Sequence, residues 1–132
     1  DENNANLLAE KITYALSCDA GLILGVKAIE SGALAFIGYS KSFVVGYLEE
    51  YQTRPLHDKL AKLFLEPSNL IPISLLKGNT VSDAYRKSQN ASFKNFSFVL
   101  STKASLLEKD AAPYLWHNRK YQVLLGNLLS KL

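Results

Sequence analysis

Cysteine is nearly absent from this sequence. Cys18 is the only one, so no internal disulfide framework can form and a reduced, cytoplasmic setting is the expectation. Histidine is almost as scarce, with only His57 and His117. One cysteine and two distant histidines give no metal-ligand spacing, so no metal is expected. No phosphate loop is present: Gly21 and Gly25 do not make a dinucleotide fingerprint, and no Gly-Lys-Ser or Gly-Lys-Thr occurs. No cofactor is therefore expected. Apolar runs are short as well, because Lys27, Glu30 and Lys41 interrupt the longest one well before the roughly 18 residues a membrane span needs. The stretch from Asp1 to Asn6 is polar and acidic, unlike a signal peptide, so no membrane partner is expected. Methionine is missing altogether, even at position 1, which leads us to expect a piece of something longer.

What remains is an ordinary balance for a chain that buries one core: 132 residues, 48% hydrophobic and 20% charged. The 15 basic residues are interspersed with 12 acidic ones, for a formal charge of +3, which makes a weak case for nucleic acid as a partner.

Residues 10–18 form a short, mostly apolar run containing Ile12, Thr13 and Tyr14, which reads as a buried first strand. After Gly21, apolar positions Leu22, Ile23, Val26, Ile29 and Ala33 recur every three or four residues, as in a helix ending near Gly32. Residues 33–39 are continuously apolar, the pattern of a parallel strand covered on both faces. Strand, helix and strand in about 30 residues make a βαβ unit. Residues 43–51 fit strand and helix equally poorly. Beyond Pro55, Leu56, Leu60, Leu63 and Phe64 predict a helix stopping before Pro67, and a second short helix is expected over 71–77. Gly78 and Asn79 end it; Thr80, with Asp83 three residues on, caps the next helix, which runs to about Phe93 or beyond. Residues 96–107 are ambiguous. Pro113 is expected to separate them from a terminal strand built on Tyr121, Val123, Leu124 and Leu125 and ending at Gly126.

The chemistry-bearing position is Cys18, at the C-terminal end of the first strand, with Asp19, Ala20 and Gly21 before the helix. In open α/β sheets sites are built at such strand-to-helix turns, and a helix N-terminus close by favours thiolate. The competing reading is that a free cysteine simply packs. A nucleophilic thiol also needs a base within hydrogen-bond reach. His57, at the start of a helix, and His117, in Trp-His-Asn-Arg-Lys, both read as surface residues, so no partner is evident in the chain itself.

Four stretches, in order, resemble the C-terminal half of caspase-like cysteine peptidases, in particular the CHAT group and separase relatives. The first is Ala15-Leu16-Ser17-Cys18-Asp19-Ala20-Gly21 with Leu24-Gly25, and the second is Ser31-Gly32-Ala33-Leu34-Ala35-Phe36-Ile37-Gly38. The third, Leu75 to Ala84, resembles the family's Gly-x-(Ser or Thr)-x-x-x-Ala segment opening a late helix. The last is Pro113-Tyr114-Leu115-Trp116 followed by Leu124-Leu125-Gly126-Asn127, similar to the family's Trp and Leu-Leu-Gly-Asp.

The resemblance implies an α/β fold, a partial caspase-like three-layer sandwich with a mainly parallel sheet flanked by helices. It implies that residues 1–132 form a single, incomplete domain lacking the upstream His-bearing strands. Cys18 would be the nucleophile, its own N–H forming part of an oxyanion hole. Gly38, Tyr39, Ser40 and Lys41 would wall the substrate pocket, with Lys41 favouring an acidic side chain. The implied activity is endopeptidase cleavage of protein or peptide substrates, once the missing N-terminal half or another chain supplies the histidine; alone, this chain is expected to be inactive. Two other classes stay open: a catalytically inactive pseudo-enzyme or protein-interaction α/β domain in which Cys18 is packed, and a small ligand-binding α/β domain complete as it stands.

Overall fold

A computed structural model describes residues 2–17 and 19–132. The chain opens with a 3-10 helix, Glu2–Leu8, and enters the short strand β1, Ile12–Tyr14. Helix α1, Leu24–Glu30, follows, and the chain reverses at Gly32, whose φ of 94° suits a residue without a Cβ. Strand β2, Ala35–Tyr39, is buried at all five positions, as its unbroken apolar run requires. It pairs parallel with β1, Ile12 opposite Ala35 and Tyr14 opposite Ile37, so the βαβ unit expected from the sequence is present. On its other side β2 pairs with the terminal strand β3, Gln122–Gly126, which runs antiparallel, Phe36 facing Leu125 and Gly38 facing Val123. The sheet is therefore mixed, in the order β1-β2-β3, with one parallel and one antiparallel ladder.

Two long helices continue the chain: α2, Lys59–Leu76, and α3, Val81–Val99. They pack on the face of β2 that carries Ala35 and Ile37, where Ile71, Leu75, Val81 and Ala84 close a core cluster. Phe36 points the opposite way, into a cluster with Ala28, Ala33 and Leu24 beneath α1. Helices thus cover both faces of the central strand. A second core lies away from the sheet, where Phe64 and Val99 meet Ala111, Ala112 and Leu115.

The structure corrects three helix boundaries. The expected stop before Pro67 does not occur: α2 runs unbroken through Pro67 and Pro72, absorbing the separate short helix expected over 71–77. Proline in a helix interior removes the bond to the carbonyl four residues back. For Pro67 that acceptor is Leu63, and the side-chain amide of Asn95 on α3 donates to it instead. Pro113 likewise starts a helix rather than preceding a strand. Helix α4, Leu106–Asp110, is held by a Ser105–Glu108 capping box, and α5, Ala112–Tyr121, has Pro113 in its first turn, where a missing N–H costs nothing. The ambiguous residues 96–107 divide among the end of α3, a turn and the start of α4.

The start of α3 is as the sequence indicates. Thr80 Oγ accepts from Asp83 N–H at 3.1 Å, and Asp83 pairs with Arg86 at 2.7 Å. The C-terminal tail completes this cap: Ser130 and Leu128 carbonyls accept from the N–H groups of Val81 and Ser82. Among the described residues no helix is long and apolar enough to cross a membrane.

Candidate functional site

The site expected from the sequence is the C-terminal edge of the parallel pair. Cys18 itself lies outside the described residues, but the chain on either side of it is fixed. Ala15 N–H donates to Ile37 O at 2.9 Å, continuing the β1 ladder by one residue, and Leu16 and Ser17 are exposed. Asp19 is exposed and adopts φ 59°, the left-handed conformation that Asp tolerates better than most residues, and its carbonyl accepts from Leu22 N–H. Gly21 N–H then donates to Tyr39 O at 2.9 Å, tying the turn back to the end of β2. A Cβ on Gly21 would sit 2.5 Å from Val123 Cγ2 and 3.1 Å from the Tyr39 carbonyl, so only glycine passes here. Helix α1 begins at Leu24, six positions past Cys18, with no side-chain cap.

The four expected pocket residues divide into two inward and two outward. Gly38 is buried, its missing Cβ leaving room for the Phe36 ring and Ala15 O. Tyr39 is only 2% exposed and turns towards α2 and α3. Ser40 is half-buried; its N–H and Oγ both donate to Tyr121 O, at 2.9 and 3.2 Å. Lys41 is exposed and takes part in neither of the ion pairs found among the described residues.

Tyr39 belongs to a buried polar network that sequence reasoning missed. Its hydroxyl accepts from Gln122 Nε2 at 3.1 Å, and the same amide donates to Ser88 Oγ at 3.0 Å. Gln89 Nε2 donates to Gln122 Oε1 at 2.8 Å, Tyr85 hydroxyl to Gln122 O at 3.1 Å, and Tyr14 shares a hydrogen bond with Ser68. Burial raises the pKa of both Tyr14 and Tyr39 above the usual phenol value; for Tyr39 the nearby Tyr14 adds to the effect. Both are neutral hydrogen-bonding groups at physiological pH. The sequence carries little signal for it, since Ser88 lies in the polar run Arg86-Lys87-Ser88-Gln89-Asn90 and Ser68 follows Pro67, and a network is identified only once the partners are in place.

Beyond Lys41 the chain has no regular structure and is held by side chains rather than by a neighbouring strand. Asn118, itself buried, accepts from Val44 N–H at 2.9 Å and donates to Val44 O at 2.7 Å. Asp58 accepts from Leu48 N–H at 2.7 Å while capping α2 through Ala61 N–H. His117 Nε2 lies 2.9 Å from Ser42 O; a carbonyl has no proton to give, so Nε2 carries the hydrogen. The anchored main-chain positions are thus 42, 44 and 48. Beside this segment a cavity of about 330 Å³ is lined by Val44, Gly46, Leu60, Phe64 and Tyr114.

Among the described residues neither histidine is hydrogen-bonded to a side chain that would orient it as a base. His57 is exposed in a 3-10 turn, Pro55–His57, before α2. His117 sits on the β3 side of β2, since Ser40 bonds across to Tyr121, whereas Tyr39 O turns to Gly21 on the β1 side. Among the described residues no group of three His, Cys, Asp or Glu side chains could hold a metal ion. Comparison with protein-family models, with curated proteins and with solved structures returned no match.

Proposed function

We propose that this chain is the Cys-bearing half of a caspase-like cysteine endopeptidase domain, working in the cytoplasm on protein or peptide substrates. In this reading Cys18 attacks the scissile carbonyl and its N–H helps hold the oxyanion, while a histidine on a strand outside residues 1–132 takes the thiol proton. The helix–sheet–helix layering is then part of a three-layer sandwich. One observation carries the reading: the turn bearing Cys18 is tied to the C-terminal edge of a parallel pair, by Ala15 on one side and the Gly21–Tyr39 bond on the other.

Two further features support it. Lys11 and Ala15 spend their main-chain bonds on β2, so the intervening Ile12 and Tyr14 turn theirs outward from an edge strand, where a His-bearing strand could add. The side-chain-anchored segment 42–48, which pairs with no strand of the sheet, would offer an extended substrate main-chain groups to pair with. A rival reading is an inactive interaction domain in which Cys18 is packed. Alkylation of Cys18 by iodoacetamide as a function of pH, in a polypeptide that includes the upstream segment, separates the two. The peptidase reading expects a reactivity inflection below the ordinary thiol value of about 8.5. Slow alkylation with an ordinary inflection would assign Cys18 to packing and end the peptidase reading.

A further inference from the structure

Charge is not spread evenly along this chain. Residues 1–83 hold seven Lys and Arg against ten Asp and Glu, a net of −3, whereas residues 84–132 hold eight against two, a net of +6. The fold concentrates that excess on adjoining helices. Helices α3 and α5 lie side by side in opposite directions, Val99 meeting Ala111 and Leu115 at one end and Gln89 meeting Arg119 at the other. Between Asp83 and Glu108 there is no acidic residue, and α5 has none either.

Arg119 is the centre of this face. Its guanidinium carbon lies 5.4 Å from the ring centre of Phe93 on α3 and 5.5 Å from that of Trp116 on α5, while Nε donates to Gln89 O. Phe96 packs against the far side of the cluster, its ring 5.3 Å from Trp116. Phe93 is 52% exposed and Trp116 43%, so the rings are not core residues that happen to touch an arginine. Among the described residues no carboxylate pairs with Arg119; the ion pairs there are Asp83–Arg86 and Lys27–Glu30. A guanidinium locked between two rings keeps its terminal N–H groups in a fixed fork, the geometry that suits a carboxylate bidentately. Exposed tryptophan and arginine in contact are also the residue types that anchor protein interfaces.

We propose that the α3–α5 face is a docking surface for an acidic polypeptide segment, in which a Glu or Asp carboxylate meets Arg119 and a neighbouring apolar side chain covers Phe93 and Trp116. The same two helices carry Arg86, Lys87, Lys94 and Lys120, and their net positive charge supplies long-range attraction. A single-stranded nucleic acid is the rival occupant; the acidic polypeptide is preferred because the Arg119 fork suits a planar carboxylate. The inference stands apart from the peptidase reading, since it uses no residue of the Cys18 edge.

The test uses the whole chain and its one tryptophan, Trp116, as the reporter. Titration with acetyl-Glu-Leu-Glu-Glu-Phe-Glu-amide is expected to give a saturable fluorescence change that weakens with salt. Arg119→Gln should weaken binding by about tenfold or more, and Arg119→Lys, which keeps the charge but not the fork, by several-fold. Lys27→Gln, on the opposite layer, should leave it within about twofold. Circular dichroism of each variant separates lost folding from lost binding, and Arg119→Lys carries the test should Arg119→Gln not fold. Equal binding of the peptide with Gln in place of every Glu would overturn the proposal. So would tighter binding of a thymidine hexanucleotide, the absence of any saturable change, or light scattering showing that a second copy of the chain already occupies the face.

Discussion

Asn95 Nδ2 donates to the main-chain carbonyl of Leu63 at 2.9 Å, taking the acceptor that Pro67, without an N–H, cannot serve. A side chain of α3 thus does the work of a backbone bond in α2. Those two helices make the helical layer beneath the sheet, and Ser68, the residue after Pro67, reaches Tyr14 in the same stretch.

Removing that amide should destabilise the chain by about 1–2 kcal/mol, the cost of leaving a part-buried carbonyl unpaired. Asn95→Ala and Pro67→Ala, singly and together, form a cycle measured by urea unfolding. With alanine at 67 an N–H returns to serve Leu63, so the cost of Asn95→Ala is expected to shrink by about half or more in that background. Additive effects would mean that Asn95 contributes through packing alone.

The sequence made the βαβ unit legible because every part of its signal is local: an apolar run short enough for a strand, a helical period, and Gly32 at the reversal. Thr80 and Asp83 were equally plain, since a cap is written within four residues. The continuity of α2 was hidden for the opposite reason. Pro67 is a stop signal by any local rule, and what overrides it is Asn95, more than two dozen residues away. Helix α5 was missed because its own amphipathic pattern is weak, Trp116, His117 and Arg119 being set by neighbours on α3 and the 42–48 segment. At the candidate site, the sequence placed Ser40 and Lys41 at the open end of β2 but gave no sign that Tyr39 would turn inward to Gln122 and leave any pocket wall to its neighbours.

Lys41 is exposed where β2 ends and has no acidic partner among the described residues. If the chain is reconstituted with a His-bearing segment into an active peptidase, peptides with Asp at the cleaved position should be cut faster than those with Leu or Lys. Lys41→Glu is then expected to lower the Asp-to-Lys rate ratio by about tenfold or more, through the change of two charge units at one point. Competition between the three peptides under wild-type and variant enzyme measures it, and a wild-type preference for Lys rules out this role for Lys41.

Tyr39 links stability to alkaline pH. Burial raises its pKa, so the folded state holds the phenolic proton more tightly than the unfolded chain, whose tyrosines ionise near 10.0. Between those two values the folded state binds more protons than the unfolded one, and stability must fall as pH rises. The contribution is complete below pH 10.0 and is lost progressively above it; Tyr14, raised for the same reason, adds in the same direction. Tyr39→Phe therefore has two opposite signatures. At neutral pH it costs about 1 kcal/mol, because Gln122 loses one acceptor, although Ser88 still takes part of its amide. Above pH 10 the gap between variant and wild type should narrow, since the variant has no buried phenol to ionise. Urea unfolding at neutral pH and again in the alkaline range, with phenolate absorbance recorded in parallel, reads both effects. A gap that stays constant with pH would place the ionisation elsewhere than at Tyr39.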